Sequence, residues 1–306
     1  MKKLNEYNKS LIRVGLYFLF SLCCLNVLMA QDSTAVVEKP QKTKPKAVRN
    51  TFDDNILIDN QTLQVPIRKT FEVMLQHRFG TVTSGYQNFY GLFSGANMAF
   101  RFFYSPINNL NLGIAFNEQN LIWEGNVKYA LMKQSVSGGW PVSITYYGNA
   151  AVDTRKKEGN FINNADRFSF FNQVMVGRKI SEKISLQFAG SLSYLNNVPG
   201  YVEANGKISP LMNNAHFAFE ALAKYKISET FNLIANYDQP ITQHLYDNPH
   251  PSIALGVEIN TKGHTFQLFG TNYGGTLPQY NNFFNQNDYT KGMWLVGFTL
   301  ARRWHW

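Results

Sequence analysis

Six histidines are the side chains of this sequence best suited to metal binding or to acid–base chemistry near neutral pH. They are His77, His216, His244, His250, His264 and His305. No HExxH motif, no CxxCH motif and no pair of histidines two residues apart on one strand occurs among them. A GxSxG nucleophile motif is also absent. The sequence therefore predicts no catalytic residue, no bound metal, no cofactor and no enzymatic activity.

Thiol chemistry is excluded by the position of the two cysteines. Cys23 and Cys24 lie inside the apolar run 16–28, which follows four basic residues and precedes Met29 and Ala30. This arrangement predicts a secretory signal peptide over residues 1–30, and cleavage after Ala30 would remove both thiols. A retained anchor helix is the alternative, but the run is shorter than the ~20 apolar residues that a spanning helix requires.

Two further segments precede the main domain. Residues 31–49 are rich in proline and lysine, poor in large apolar side chains, and predict a disordered tether. Residues 50–67 contain scattered apolar side chains and predict either a lead-in against the domain or a plug at its periplasmic mouth. The formal net charge of +9 is partly carried by these early segments, and an exported chain gives no reason to expect a nucleic-acid partner.

Alternation of apolar and polar residues dominates the rest of the chain. The sequence contains 24 phenylalanines, 16 tyrosines and few charges, with a mean hydropathy of −0.25. A period of two residues is the signature of a strand with two different faces. We find it in twelve segments, of which 168–178 is the least regular because Asn172 interrupts the apolar face. The segments are 71–79, 96–104, 110–116, 123–131, 142–148, 168–178, 184–194, 217–225, 231–237, 253–259, 266–270 and 294–306.

The connections between these segments alternate between short and long, with exceptions at 117–120 and 132–140. Bacterial outer-membrane barrels have short periplasmic turns and long external loops, whereas soluble sandwiches and jelly rolls do not alternate in this way. The sequence therefore predicts an all-β protein whose residues 68–306 form a transmembrane, antiparallel up-and-down barrel of about 12 strands. We expect it in the cell outer membrane, with both termini in the periplasm.

Aromatic residues near the C-terminus indicate which partners such a barrel meets. Trp294, Phe298, Trp304 and Trp306 share one face of the last segment. Tryptophans of this kind sit at membrane–water interfaces, and a terminal aromatic residue resembles the signal presented to the barrel assembly machinery. The expected partners are therefore outer-membrane lipid, that machinery and a small-molecule ligand.

Eight charged residues share the parity opposite to the apolar face and are predicted to line the interior. They are Glu72, Arg78, Arg101, Glu124, Lys128, Glu220, Lys224 and Glu258, four positive and four negative. Balanced charge indicates paired, space-filling networks, because isolated charges in an enclosed interior are costly. The opposed charge ladders of a solute-selecting pore are the alternative.

Several short motifs resemble an uncharacterised family of Bacteroidota outer-membrane β-barrels, a domain of unknown function. They are Thr51-Phe52, His77-Arg78-Phe79-Gly80, Gly91-Leu92-Phe93, Lys128-Tyr129 with Gln134, Asn248-Pro249-His250-Pro251 before Gly256-Val257, and Gly263-His264-Thr265-Phe266-Gln267-Leu268. The resemblance covers nearly all of the chain from Thr51 onward and implies the fold and the location. It singles out His77, Arg78, His250 and His264 as candidates for a shared site.

Three classes of function stay open at this point. A channel, transporter or ligand-binding barrel is the first, and a non-conducting structural or partner-binding barrel is the second. A membrane-embedded hydrolase is the third, although the sequence offers no convincing serine and histidine pair for it.

Overall fold

The computed structural model describes residues 46–306. The predicted signal peptide lies outside the described residues, as does the predicted tether apart from its last four residues, 46–49. The elements in chain order are β1 (Ile56–Leu57), β2 (Asn60–Gln61), β3 (Thr70–Thr81), β4 (Asn97–Ile107), β5 (Leu110–Asn117), β6 (Ile122–Met132), β7 (Ser143–Asp153), β8 (Phe168–Lys179), β9 (Ile184–Leu195), β10 (Gly200–Val202), β11 (Ile208–Pro210), β12 (Ala215–Lys226), β13 (Phe231–Pro240), β14 (Ser252–Thr261), β15 (His264–Thr271), α1 (Pro278–Phe284) and β16 (Leu295–His305).

Twelve of these strands form one closed antiparallel barrel: β3 to β9 and β12 to β16. Each pairs with its neighbours in the chain, β9 pairs with β12, and β16 closes the barrel against β3. The remaining four strands form two short hairpins, β1–β2 and β10–β11. The predicted up-and-down barrel of about 12 strands is confirmed, and each of the twelve alternating segments corresponds to one barrel strand.

Side chains alternate between a buried inward face and an outward face along every barrel strand. Strand β8 explains why its sequence pattern is irregular. Phe171 and Met175 point inward and are fully buried, whereas Asn172 points outward. The outward Asn172 accepts a hydrogen bond of 2.6 Å from the hydroxyl of Tyr146 on the neighbouring strand. The interior of this barrel therefore contains apolar side chains as well as polar ones.

The two ends of the barrel differ in their connections. We call the end with the connections 108–109, 133–142, 180–183, 227–230 and 262–263 the turn end, and the opposite end the loop end. The connection 133–142 is longer than the other turns and pairs with the chain that enters the barrel. Ala47 bridges Ser135, and the Val48 amide donates to the Gln134 carbonyl over 2.7 Å. The chain thus approaches the barrel at its turn end.

Helices contribute little to the described part of the chain. Within residues 46–306, α1 is the single α-helix, and it has seven residues. None of the helices in this range is long and apolar enough to cross a membrane.

Candidate functional site

Residues 51–65, which we call the inner segment, lie inside the barrel. Nearly all of them are buried, and their hydrogen-bond partners come from β3, β6, β9, β13 and β15, which surround the segment on all sides. The β1–β2 hairpin pairs only with itself, through Ile56 with Gln61 and Leu57 with Asn60. The inner segment therefore occupies the space that a pore would need, without joining the sheet of the barrel.

An apolar core joins the inner segment to the wall. Phe52, Leu57, Ile58 and Leu63 pack in one cluster with inward-facing wall residues. Those wall residues are Tyr147, Phe171, Met175, Ala189, Leu222, Ile234, Ala254 and Phe269, and Tyr273 of the connection 272–294 belongs to the same cluster. Ile56 packs separately against Met74, Phe103 and Ala301. The interior is organised like the core of a soluble protein, with the inner segment at its centre.

The structure places all eight predicted interior charges on the buried, inward face of the wall, each at most 5% exposed. Arg101 and Glu124 form an ion pair of 2.8 Å, and Glu124 also accepts a hydrogen bond of 2.7 Å from Tyr147. Lys128 donates to the backbone carbonyl of Asn55 over 2.7 Å. Five of the eight residues, Glu72, Arg78, Arg101, Glu124 and Lys224, form ion pairs. Lys128, Glu220 and Glu258 hydrogen-bond to neutral groups.

Aspartates at the start of the inner segment form ion pairs with basic side chains of the barrel wall at the turn end. Arg303 lies 2.9 Å from the carboxylates of both Asp54 and Glu72, and Lys224 lies 2.8 Å from Asp53. Sequence reasoning omitted Arg303, although its place in the alternation of β16 already indicated an inward side chain. It could not assign partners to Asp53 and Asp54, because the inner segment has no strand period.

Wall glutamines hydrogen-bond to the backbone of the inner segment. Gln267 accepts from the Ile58 amide over 2.8 Å and donates to the Ile56 carbonyl over 3.1 Å. Gln187 accepts from the Leu63 amide over 2.8 Å and donates to the Gln61 carbonyl over 2.8 Å. A glutamine amide can satisfy a backbone donor and a backbone acceptor at once, as a neighbouring strand would. Buried backbone groups that β1 and β2 leave unpaired are satisfied in this way.

A second segment fills the barrel from the loop end. Helix α1 lies in the connection 272–294, and its Gln279, Asn281, Asn282 and Phe283 are buried. Gln279 exchanges hydrogen bonds of 3.0 and 3.2 Å with Asn149 of β7. At its deepest point α1 reaches the inner segment, where Asn281 donates to Asp59 over 2.6 Å.

Above this contact, a cavity of about 950 Å³ opens at the loop end. Its lining contains three acidic residues, Glu118, Asp153 and Asp166, and two basic residues, Arg155 and Arg167, so its charge is close to balanced. Several amides and aromatic rings complete it, namely Asn97, Gln119, Asn120, Asn197, Asn287, Phe161, Phe168, Tyr280 and Phe284. Helix α1 and the glycines before it also line the cavity. The cavity therefore lies between α1 and the surrounding connections of the loop end.

Three of the cavity's charges are already engaged by other groups of the chain. Arg155 and Asp153 form a two-pronged ion pair, with nitrogen–oxygen distances of 2.7 to 3.1 Å. Arg167 donates to two backbone carbonyls and lies 4.7 Å from the centre of the Phe161 ring. Burial, and less strongly the nearby Asp153 carboxylate, raise the pKa of Tyr280 to about 12, so its phenol stays neutral at ordinary pH. The cavity offers hydrogen bonds and ring faces without a dominant charge.

The four family-motif positions are not brought together by the fold. Arg78 faces inward and donates to the Ile58 carbonyl over 2.9 Å, whereas His77 faces outward and stacks on Phe298 with 5.0 Å between ring centres. His264 lies at the turn end beside Arg302, and His250 lies at the loop end. In residues 46–306, no three His, Cys, Asp or Glu side chains are placed to hold a metal ion.

A histidine pair that sequence reasoning missed lies at the loop end. Nδ1 of His216 lies 2.9 Å from Nε2 of His244, and both rings pack against Phe283 of α1. The Asn213 amide donates to Nδ1 of His244 over 3.0 Å, so His244 is neutral and its Nε2–H donates to His216. The pair joins β12 to the connection 241–251, and no sequence spacing could have shown it.

The predicted interfacial aromatics occupy both ends of β16. The indole of Trp294 donates to the Tyr289 carbonyl at the loop end, over 3.1 Å. At the turn end, Trp304 stacks on Phe71 with 5.9 Å between ring centres, and Trp306 is exposed. Phe298 lies between them on the outward face.

Comparison with known proteins identifies the class. Residues 52–304 match the family described as a membrane-bound β-barrel domain, DUF5777. The chain belongs to this family, and its barrel is a membrane-bound domain. The resemblance noted in the sequence is thereby confirmed for fold and membrane association. No curated protein sequence matches the chain.

Solved structures with a similar barrel share little sequence with this chain. The NanC porin is 9% identical with a TM-score of 0.47, covering 76% of this chain and 97% of the porin. An outer-membrane channel of Pseudomonas putida F1 is 10% identical with a TM-score of 0.49, covering 79% and 97%. OmpF of Salmonella typhi, in a complex with daunomycin, is 8% identical with a TM-score of 0.37, covering 77% and 97%.

Proposed function

We propose that this chain is a non-enzymatic outer-membrane barrel whose interior is closed, and that it binds a small molecule in the loop-end cavity. In this proposal the turn end and both termini are periplasmic, and the loop end faces outward from the cell. The outward face of the barrel contacts lipid, and the last strand is recognised by the assembly machinery. The observation that carries the proposal is the meeting of the inner segment and α1 inside the barrel.

The apolar core supports a closed resting state. Six apolar side chains of the inner segment are buried: Phe52, Ile56, Leu57, Ile58, Leu63 and Val65. Burial of each is worth about 1.5–3 kcal/mol, so withdrawing the segment into water would cost on the order of 10 kcal/mol from these side chains alone. Thermal motion at that cost opens the barrel too rarely for a passive pore.

Conductance in planar lipid bilayers tests the closed interior. We expect no stable current steps from the full chain, and steps from a chain that lacks residues 51–65. Heat-dependent mobility on gels shows whether the deletion variant is folded. Asp53→Asn with Asp54→Asn is a milder variant that removes the ionic anchors and should raise the frequency of brief openings. Steady conductance by the full chain would reject the closed interior, whereas silence from a folded deletion variant would mean that α1 keeps the barrel closed without the inner segment.

Retention of small molecules tests the cavity. We expect mass spectrometry of the purified full chain to detect a bound molecule that is lost from Gly95→Trp. Gly95 lines the cavity, and an added Cβ there would meet no atom within 4 Å, so a side chain can be attached at this position to reduce the ligand's volume. Equal retention by both chains would place the ligand elsewhere.

A ligand-specific transporter is the second candidate, and one observation favours it. The inner segment is held by side chains and by its own hairpin, so it can leave without breaking any strand pairing of the barrel. Solute uptake by proteoliposomes discriminates between the candidates. Uptake that the full chain sustains supports a transporter, and no uptake supports the closed barrel.

A further inference from the structure

The connection between β3 and β4 presents an exposed aromatic surface. We call residues 82–94 the aromatic loop. It contains five exposed large apolar side chains, of which Tyr86 and Phe93 are each 78% exposed. The others are Phe89, Tyr90 and Leu92. No charged residue occurs between Arg78 and Arg101, whereas every other connection at the loop end contains at least one. A loop that faces only water would gain nothing from exposed aromatic side chains combined with an absence of charge.

Hydrogen bonds hold the aromatic loop in one conformation. The amides of Phe89 and Tyr90 donate to the carbonyls of Tyr86 and Gly85, over 2.9 Å in both cases. Phe89 and Tyr90 themselves have φ angles of 45° and 52°. Bulky side chains adopt this left-handed region only at an energetic cost, and such costs concentrate at functional positions. The backbone conformation therefore holds these rings in exposed positions.

The aromatic loop is fixed to the loop-end rim of the barrel beside β16, where the Val82 amide donates to the Trp294 carbonyl over 2.7 Å. Strand β3 has a bulge opposite Val296, an outward-facing residue of β16. Gly80 lies in this bulge, donates its amide to the Gly91 carbonyl over 3.0 Å, and leaves no room for a Cβ atom because Ser94 occupies that space. No residue of 82–94 lines the loop-end cavity. The aromatic loop follows closely after Phe79 in the chain, and the ring of Phe79 lies 6.2 Å from that of Phe298 on the outward face.

We propose that the aromatic loop inserts its rings into the headgroup region of the membrane beside the barrel, as an anchor at the loop end. The barrel's outward face is already a membrane surface, and the loop extends it with aromatic, uncharged side chains. Aromatic rings favour the interface between water and hydrocarbon, where charged residues of a loop would gain nothing by insertion. A partner protein bound to the same surface is the competing occupant.

Quenching by spin-labelled lipid tests the anchor in the full chain, with Cys23 and Cys24 replaced by serine. A single cysteine at Phe93 or Tyr86 carries an environment-sensitive NBD dye, and the chain is reconstituted in phosphatidylcholine vesicles with 5-doxyl phosphatidylcholine. Val202 in the β10–β11 hairpin is the matched control, because it is 70% exposed at the same end of the barrel. Gel mobility with and without heating shows that each labelled chain is folded.

We expect the lipid label to quench the dye at positions 86 and 93 at least about twofold more than at position 202, because interfacial elements lie roughly 5–10 Å deep, near the fifth acyl carbon. In the same vesicles, NBD emission at those two positions should also be blue-shifted relative to position 202. Dyes at 86 and 93 that the lipid label leaves as bright as the dye at 202 would overturn the anchor and leave a protein partner as the occupant.

Discussion

Asn281 of α1 donates a hydrogen bond of 2.6 Å to the carboxylate of Asp59 in the inner segment. The two segments enter the barrel from opposite ends and are 222 residues apart in the chain. Among the ion pairs of the described residues, Asp59 has one partner, the Arg78 guanidinium at 3.7 Å. The segments that fill the barrel from its two ends therefore meet at this contact.

Asn281→Ala removes the donor and leaves a buried carboxylate poorly satisfied. We expect the free energy of unfolding in urea to fall by about 1–3 kcal/mol, the cost of an unmade buried hydrogen bond. Asn205→Ala in the exposed β10–β11 hairpin is the control, and it should change stability by less than about 0.5 kcal/mol. Equal effects of the two variants would show that the contact contributes nothing.

Arg101→Met tests the buried charge network. Arg101 pairs with Glu124 inside the barrel, so its loss strands a carboxylate and should cost about 3–5 kcal/mol of unfolding free energy. Lys291→Met breaks an exposed pair with Asp288 and should cost about 0–1 kcal/mol. Adding Glu124→Gln to Arg101→Met should restore part of the loss, and a double variant no better than the single one would contradict the pairing.

Phe52→Ala removes the largest apolar side chain of the inner segment. The ring is fully buried in the interior cluster, so we expect a loss of about 3–5 kcal/mol in unfolding free energy. Brief current openings in planar bilayers should become more frequent in the same variant. Tyr201→Ala, at an exposed position of β10, should change neither measurement.

Tyr146→Phe tests the polar pair on the outward face. Without the hydroxyl, the Asn172 amide faces hydrocarbon with no partner, and we expect about 1 kcal/mol of destabilisation in lipid. Combining Tyr146→Phe with Asn172→Leu removes both polar groups and should recover the stability. Failure of the double variant to recover would mean that Asn172 has another partner or meets water.

Acidification should loosen the connection 241–251. Burial lowers the pKa of His244 below its ordinary value, so the folded state prefers the neutral imidazole. In the unfolded chain the pKa of a histidine is about 6.5. The preference for the neutral ring therefore stabilises the fold fully above about pH 6.5, and this stability is lost as the pH falls towards the lower pKa of the folded state. Protonation would place a hydrogen on Nδ1, opposite the Asn213 amide that donates to it.

Hydrogen exchange measures this effect. After correction for the intrinsic rate, protection of the Asn213 amide should be lower at pH 5 than at pH 7.5. His244→Gln keeps an acceptor but cannot titrate in this range, so its protection should not depend on pH. The same pH dependence in both chains would exclude His244 as the titrating group.

The barrel could be predicted from the sequence because the patterns that specify it lie within single strands and single connections. A period of two residues fixes which side chains of a strand face the same way, and connection lengths then fix the order of the strands. Glu72, Arg101 and Lys128 were placed inward on parity alone, and the structure buries all three. Asn172 broke the pattern only because its partner, Tyr146, lies on another strand.

Contacts across the barrel were decided by the tertiary structure. The inner segment has no period, so the sequence did not decide whether it is a lead-in or a plug. Helix α1 lies in a connection that was predicted only as a loop. Asp59 and Asn281, or His216 and His244, become neighbours only when closure of the sheet brings distant strands around one enclosed volume. What fills that volume depends on shape and on partners for buried polar groups, and neither property has a signature along the chain.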